Sequence, residues 1–194
     1  NISCREIVRR LQAWRIASGT EIESSPQTVA FCKARSKLPE KTLADISKHI
    51  ARRCERNIPQ DALWKGRHVK IIDGTTISMP DTPANQEQYP QHSSQKPGCG
   101  FPLMRLVGLF SLASGALLHF AKSSIHVHET LLFRQLWGFF EKDDILLGDR
   151  GFCSFYALSE LKKRGIDSVI RLNQTRKTDM TKGKKLGLND RLQV

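Results

Sequence analysis

Apolar residues recur at helical spacing through the first sixty positions and then switch to short continuous runs. Ile7, Val8, Leu11 and Trp14 follow Ser3 at intervals of one helical turn, with Gly19 as the stop, which predicts a first helix. Ser25 with Pro26 at the first helical position starts a second, running through Val29, Phe31 and Ala34 to Leu38. Leu43, Ile46, Ile50, Cys54 and Ile58 form the clearest stripe, with Lys48, Arg52, Arg53 and Arg56 falling mostly off it, and Pro59 closes the region.

From His68 the grammar is that of strands. Val69, Ile71 and Ile72 lead into Asp73-Gly74-Thr75-Thr76 and on through Ile77 and Met79 to Pro80, which predicts a buried strand with a carboxylate set in it. A polar, proline- and glycine-rich loop follows from Pro80 to Pro102, of a length that is usually functional or mobile. Met104 to Leu112 and Ala116 to Ala121, separated by Ala113-Ser114-Gly115, read as a hairpin. Glu129 to Phe140 is apolar at helical spacing through Leu132, Phe133 and Leu136; Ile145 to Asp149 is a short strand ending on an acid. Phe155 to Arg164 is a helix stopped by Gly165, and Ser168 to Leu172 is a last strand. The sum is a mixed α/β layer, expected over residues 66–173, behind a small helical region over 1–60 that could touch DNA; residues 174–194 are a basic tail.

Charge sharpens the partner. The 194 residues carry 31 Lys and Arg against 19 Asp and Glu, a formal net charge of +12, which attracts polyanions; nucleic acid leads, with a generally basic surface as the plain alternative. With 39% hydrophobic residues, the chain fills a core, and disordered or fibrous classes are excluded. Cys4, Cys32, Cys54, Cys99 and Cys153 are scattered, odd in number and free of any C-x-x-C pair, which argues against a zinc site or a disulfide framework and for a reducing cytoplasm, at the nucleoid if DNA is the partner. The most apolar stretch, Leu106 to Ala121, is too short and too interrupted to span a membrane. Asn1 enters directly into a helical pattern, so no signal peptide is read and both ends read as cut.

Two acids stand out, each at a strongly apolar strand: Asp73 after Val-Lys-Ile-Ile, and Asp149 after Ile-Leu-Leu-Gly. On adjacent strands they would form a hard-oxygen site suited to Mg²⁺ or Mn²⁺, which activates water and stabilises the leaving oxygen of a phosphodiester. Taken singly, each acid is better read as a turn or helix cap; taken as a pair on a basic chain, the metal reading moves ahead.

The runs VKIIDGTTISMPDTP, YPQ with SSQKPGCGFP, RLVGLFSLASGAL and DDILLGDRGFCS resemble the cut-and-paste DDE transposases of the IS-four insertion-sequence group. The resemblance implies an RNase H-like fold, a mixed sheet flanked by helices, and a metal-binding Asp-Asp-Glu triad whose first two members are Asp73 and Asp149. It implies DNA as partner, both transposon ends and target, with a homodimer on DNA as the working assembly. Two divalent ions ~4 Å apart would serve hydrolysis of one strand and attack of the freed 3′ hydroxyl on target DNA. The family's third acid, a Glu in a Tyr, Arg, Glu, Lys signature after a β-rich insertion, has no match after Asp149. Glu160, Asp179 and Asp190 do not fit it, and the chain reads as a catalytic core that stops as the insertion begins. Taken alone it would be inactive. A DNA-binding remnant without chemistry, or another RNase H-like nuclease, are the other readings.

Lys96 in the long loop, Arg150 after the second acid, and Arg176, Lys177, Lys182, Lys184 and Lys185 in the tail are candidate phosphate contacts, each of which could equally be a solvated charge. His126, His128 and Glu129 have ligand-like spacing, but a structural role is the stronger reading for them. Thr75 and Thr76 could position Asp73 by hydrogen bonds. Cys99 between two glycines suggests a loop and not a nucleophile.

Overall fold

The structure, a computed structural model, describes residues 3–20, 27–173, 179, 181–188 and 190–192. Two compact units are distinguished, Asn1–His49 and Ile50–Val194. In the first, helix α1 (Cys4–Ala17) is capped by the Ser3 side chain, which accepts from the Glu6 N–H at 3.3 Å, and the chain leaves it through Gly19 at φ +67°. Glu6 accepts from Arg10 at 2.9 Å, and that bond holds its carboxyl below the usual range. Helix α2 (Thr28–Ser36) begins behind Gln27; the expected Ser25-Pro26 start lies outside the described residues. Helix α3 (Glu40–Arg56) covers the predicted stripe as far as Cys54, with Ile58 beyond its end, and runs across the division between the units.

The second unit is built on a five-stranded sheet of order β3-β2-β1-β4-β5. Strands β1 (Val69–Ser78), β2 (Leu103–Ser111) and β3 (Leu117–Ser124) form an antiparallel meander; β4 (Ile145–Gly148) and β5 (Asp167–Ile170) add in parallel on the other side of β1. This is the mixed sheet flanked by helices that the RNase H-like expectation requires. Leu106 to Ala121 lies in the β2–β3 hairpin, and among the described residues no helix is long and apolar enough to cross a membrane.

The core lies where helices α5 (Glu129–Gln135) and α6 (Phe155–Lys163) meet the sheet: Ile72, Val107, Leu109, Ala121 and Leu146 pack with Leu132, Phe133, Leu136, Ala157 and Leu161. Phe133 stands edge-on to Trp137, Phe140 and Phe152, a geometry that favours the ring quadrupoles. Burial on β1 alternates, with Lys70 and Ile72 inside.

Three elements differ from the sequence reading. The helix expected through Phe140 ends at Gln135 and continues as a tighter turn over Trp137–Phe139, where the Phe139 carbonyl accepts from the Lys70 ammonium at 2.9 Å. The long loop contains helix α4 (Pro83–Gln88), capped by Thr82, with Pro83 in the first turn. The loop is knit by glutamines: Gln91 Oε1 accepts from the N–H groups of Gly98 and Gly100, its amide donates to the carbonyls of Gln95 and Lys96, and Gln86 donates to Gly100. The basic tail contributes a separate two-stranded sheet, β6 (Lys184–Gly187) with β7 (Asp190–Leu192).

Candidate metal and nucleic-acid site

The two acids are brought together by strand register. Ile72 pairs with Gly148 in the parallel β1–β4 ladder, so Asp73 and Asp149 are the next residue on each of two neighbouring strands. There the strands part: β4 ends at Gly148, whereas β1 continues to Ser78 alongside β2. The acids therefore stand just beyond the carboxyl end of the parallel β1–β4 ladder, Asp73 within β1 and Asp149 after β4, and the carboxyl end of parallel strands is the usual place for a ligand site in an open α/β sheet.

Both carboxylates are exposed, not set in the core as the apolar runs before them suggested. The reason is the alternation of the pleat. Ile72 is buried, and a Cβ on Gly148 would come within 2.8 Å of Ile72 Cγ2, so both face the packed side; the next residue on each strand turns to the other face.

Each acid is restrained by one local bond. Asp73 Oδ1 accepts from the Gly74 N–H at 2.9 Å, and this bond holds the carboxylate where the sequence reading had looked to Thr75 and Thr76. Asp149, with φ −79° and ψ 177°, caps the tight turn Arg150–Phe152 and accepts from the Gly151 N–H at 2.8 Å. A Cβ on Gly151 would lie 3.1 Å from Asp149 Oδ1, so only glycine seats the carboxylate at ordinary contact distance. Asp149 is thus the turn cap it was read to be, taken singly, whereas Asp73 lies within β1 and caps neither a turn nor a helix; the second oxygen of each is uncommitted among the described residues.

Two exposed carboxylates, each with one free oxygen, suit a hard divalent ion. Mg²⁺ commonly takes one or two protein carboxylates and fills its octahedron with water and substrate phosphate. The donor chemistry fits Mg²⁺ or Mn²⁺ held in that open way. It does not form a closed cage, since among the described residues no three His, Cys, Asp or Glu side chains gather around one point.

The other candidates separate. Arg150 is exposed in the turn that Asp149 caps, and Lys96 is exposed in the glutamine-knit loop. Lys184 and Lys185 are exposed on β6, and Lys182 lies 3.6 Å from Asp179. Arg176 and Lys177 fall outside the described residues. His128 caps α5, its Nδ1 accepting from the Thr130 N–H at 3.3 Å, which bears out the structural reading. Glu160 pairs with Lys163 at 2.7 Å, and Asp179 accepts from the Thr181 hydroxyl and from the Thr181 N–H at 3.0 Å, which holds both carboxyls below their ordinary range. The five cysteines are free thiols; the thiol of Cys4 hydrogen-bonds to that of Cys32 and pushes it up.

Arg105 and Glu129 were missed as a pair. Glu129 opens α5 and lies 3.7 Å from Arg105 Nε, and Arg105 donates to the Val127 carbonyl at 2.6 Å. No local spacing signals this contact, because Arg105 is on β2 and Glu129 follows β3.

Residues 64–193 match the family described as Transposase DDE domain. Over 115 residues the chain is 32% identical to InsZ of Escherichia coli (strain K12), a protein that carries a transposase name; the match takes in 59% of this chain and 38% of InsZ. The chain thus spans well under half of that relative's length. A solved structure, the piggyBac transposase synaptic complex with hairpin DNA, covers 91% of this chain and 38% of its own, at a TM-score of 0.42 and 10% identity.

Proposed function

The chain belongs to the DDE transposase family, and from that premise we propose that it is the catalytic-core portion of a DNA transposase of the cut-and-paste kind, in which Asp73 and Asp149 hold the divalent metal. The observation that carries this reading is the placement of two exposed carboxylates at one register position on adjacent parallel strands.

When bound, Mg²⁺ or Mn²⁺ supplies Lewis-acid activation of water and charge neutralisation at the scissile phosphate. The chain's own residues prepare the place for it. The Gly74 and Gly151 amides each fix one carboxylate oxygen and so orient the other, which removes rotamer freedom that binding would otherwise have to freeze. Arg150, one residue from Asp149, is within reach of a DNA phosphate lying on the pair. Lys96 and the lysines of β6 extend the basic surface along the backbone of the bound strand. Transposon ends and target DNA are the substrates of this reading, a homodimer its working assembly and the IS-four group its place within the family.

Expressed from its complete reading frame, the protein should cut transposon-end DNA in the presence of Mg²⁺ and join the freed 3′ end to target. Asp73→Ala and Asp149→Ala should each abolish both steps, with binding of the same DNA retained. Cleavage that persists in either variant at the wild-type rate would sink the proposal. A protein that cuts but never joins is instead an RNase H-like nuclease.

One observation favours a second reading. No third carboxylate joins the pair among the described residues, so residues 1–194 by themselves would bind DNA without cutting it. A gel-shift and cleavage assay on the purified chain separates the two: retention without cutting supports the remnant, and Mg²⁺-dependent cutting excludes it.

A further inference from the structure

The structure assigns a positioning role to Glu129: its carboxylate, anchored by Arg105, is the seat on which Gly74 rests, and through Gly74 it sets the carboxylate of Asp73. This inference rests on the reading of Asp73 as a metal ligand.

The link is built of three contacts. The Gly74 N–H donates to Asp73 Oδ1 at 2.9 Å, so the orientation of the Gly74 peptide decides where that carboxylate points. The space a side chain would occupy on Gly74 is filled by Glu129: a Cβ there would lie 3.0 Å from Glu129 Cδ, 3.2 Å from Oε1 and 3.3 Å from Oε2. The flat carboxylate therefore lies directly on the strand backbone one residue beyond Asp73. Glu129 is in turn fixed by Arg105, 3.7 Å away through Nε.

Arg105 has little freedom of its own. It sits opposite Thr76 in the β1–β2 ladder, on the same pleat face as Gly74, and its second anchor is the Val127 carbonyl at 2.6 Å. Its Nε is buried with no hydrogen-bond acceptor, so the Glu129 carboxylate supplies the compensating charge. Glu129 also lies in the first turn of α5, where the helix dipole favours an acid. The seat is thus held from β2, from the segment before α5 and from α5 itself, none of which is adjacent in sequence to Asp73. Gly74 is required in this arrangement for lack of a side chain, because the carboxylate takes the place of one.

Removing such an outer support around a ligand commonly costs 10–100-fold in metal affinity. Mn²⁺ is the probe, its free concentration followed by electron paramagnetic resonance on the purified chain, with thermal midpoints measured alongside. Asp73→Ala should abolish the tight site. Glu129→Ala should weaken it by roughly ten-fold and also lower the midpoint, because Arg105 loses its compensating charge, and Glu129→Gln, which keeps a planar head on Gly74, should restore the affinity even where the midpoint stays lowered. If Glu129→Ala binds Mn²⁺ as the wild type does while Asp73→Ala does not, the positioning role is overturned and the metal reading stands. A loss that Glu129→Gln shares also overturns the seat. If Asp73→Ala binds Mn²⁺ as tightly as the wild type, the metal reading falls and the positioning role falls with it. Should Glu129→Ala fail to fold, Gly74→Ala tests the same contact by driving a methyl group into the carboxylate; it should show the same loss, and unaltered affinity overturns the proposal.

Discussion

Lys70 shows how a single side chain that draws no notice in the sequence can decide local structure. It interrupts the apolar run Val69 to Ile72, which predicts a buried strand. The pleat turns Lys70 and Ile72 inward, and Lys70 is only 7% exposed. Its ammonium lies 2.6 Å from Asp144 Oδ2 and donates to the Phe139 carbonyl, while the same Asp144 oxygen accepts from the Glu141 N–H at 2.7 Å. Removing one member of a buried pair strands the other's charge. Lys70→Met should therefore lower stability by about 3–5 kcal/mol, read by urea denaturation. The double change Lys70→Met with Asp144→Leu should recover part of that loss, held back by the Glu141 N–H that Asp144 also satisfies. Neither residue announces this pairing, because the partners are far apart along the chain and spacing reports only local neighbours. The two acids were legible for the opposite reason: each closes an apolar run that makes it conspicuous.

At the scale of elements, hydrophobic pattern found the five strands of the main sheet and most helices but misplaced their ends, and it missed β6 and β7 in the basic tail. The sequence reading stops β3 at Ala121, where apolar residues stop, yet pairing with β2 carries it to Ser124 opposite Met104. Backbone hydrogen bonds, not side-chain character, set that end. Helix α4 escaped notice because its six residues in a proline-rich loop, four of them polar, show no stripe, although Thr82 and Pro83 are cap signals. The β1–β4 contact carries the element-scale prediction. Gly148 lets Ile72 of the neighbouring strand approach to a distance that no side chain tolerates. Gly148→Ala should cost about 1–3 kcal/mol through overpacking, and because the strands must part to admit the methyl group, it should also weaken Mn²⁺ binding at the acids one residue beyond. A variant of wild-type stability would show that the strands are not in this register.

Across the whole molecule, the charge of +12 is meaningful only together with where it lies. Composition pointed to a polyanion; the exposed Lys184 and Lys185 on β6 and Arg150 beside Asp149 give that attraction places to act. Each phosphate neutralised adds about 0.9 to the slope of log affinity against log salt for duplex DNA. Changing Lys184 and Lys185 together to Gln should weaken binding to any duplex alike and reduce that slope by roughly 1.8, measured by fluorescence anisotropy across a salt series. An unchanged slope would remove β6 from the contact surface. The order of the sheet carries a last consequence, for how the site comes into being. The β1-β2-β3 meander needs only short loops to close, whereas pairing of Val69 with Ile145 must close a loop that contains that entire meander and α5. Non-local closure is slow, so the meander that holds Asp73 is expected to form before Asp149 joins it. If the pair holds a cation as proposed, Mn²⁺ binding should then lag behind meander formation in refolding, and binding that rises together with the first strand signal would exclude this order.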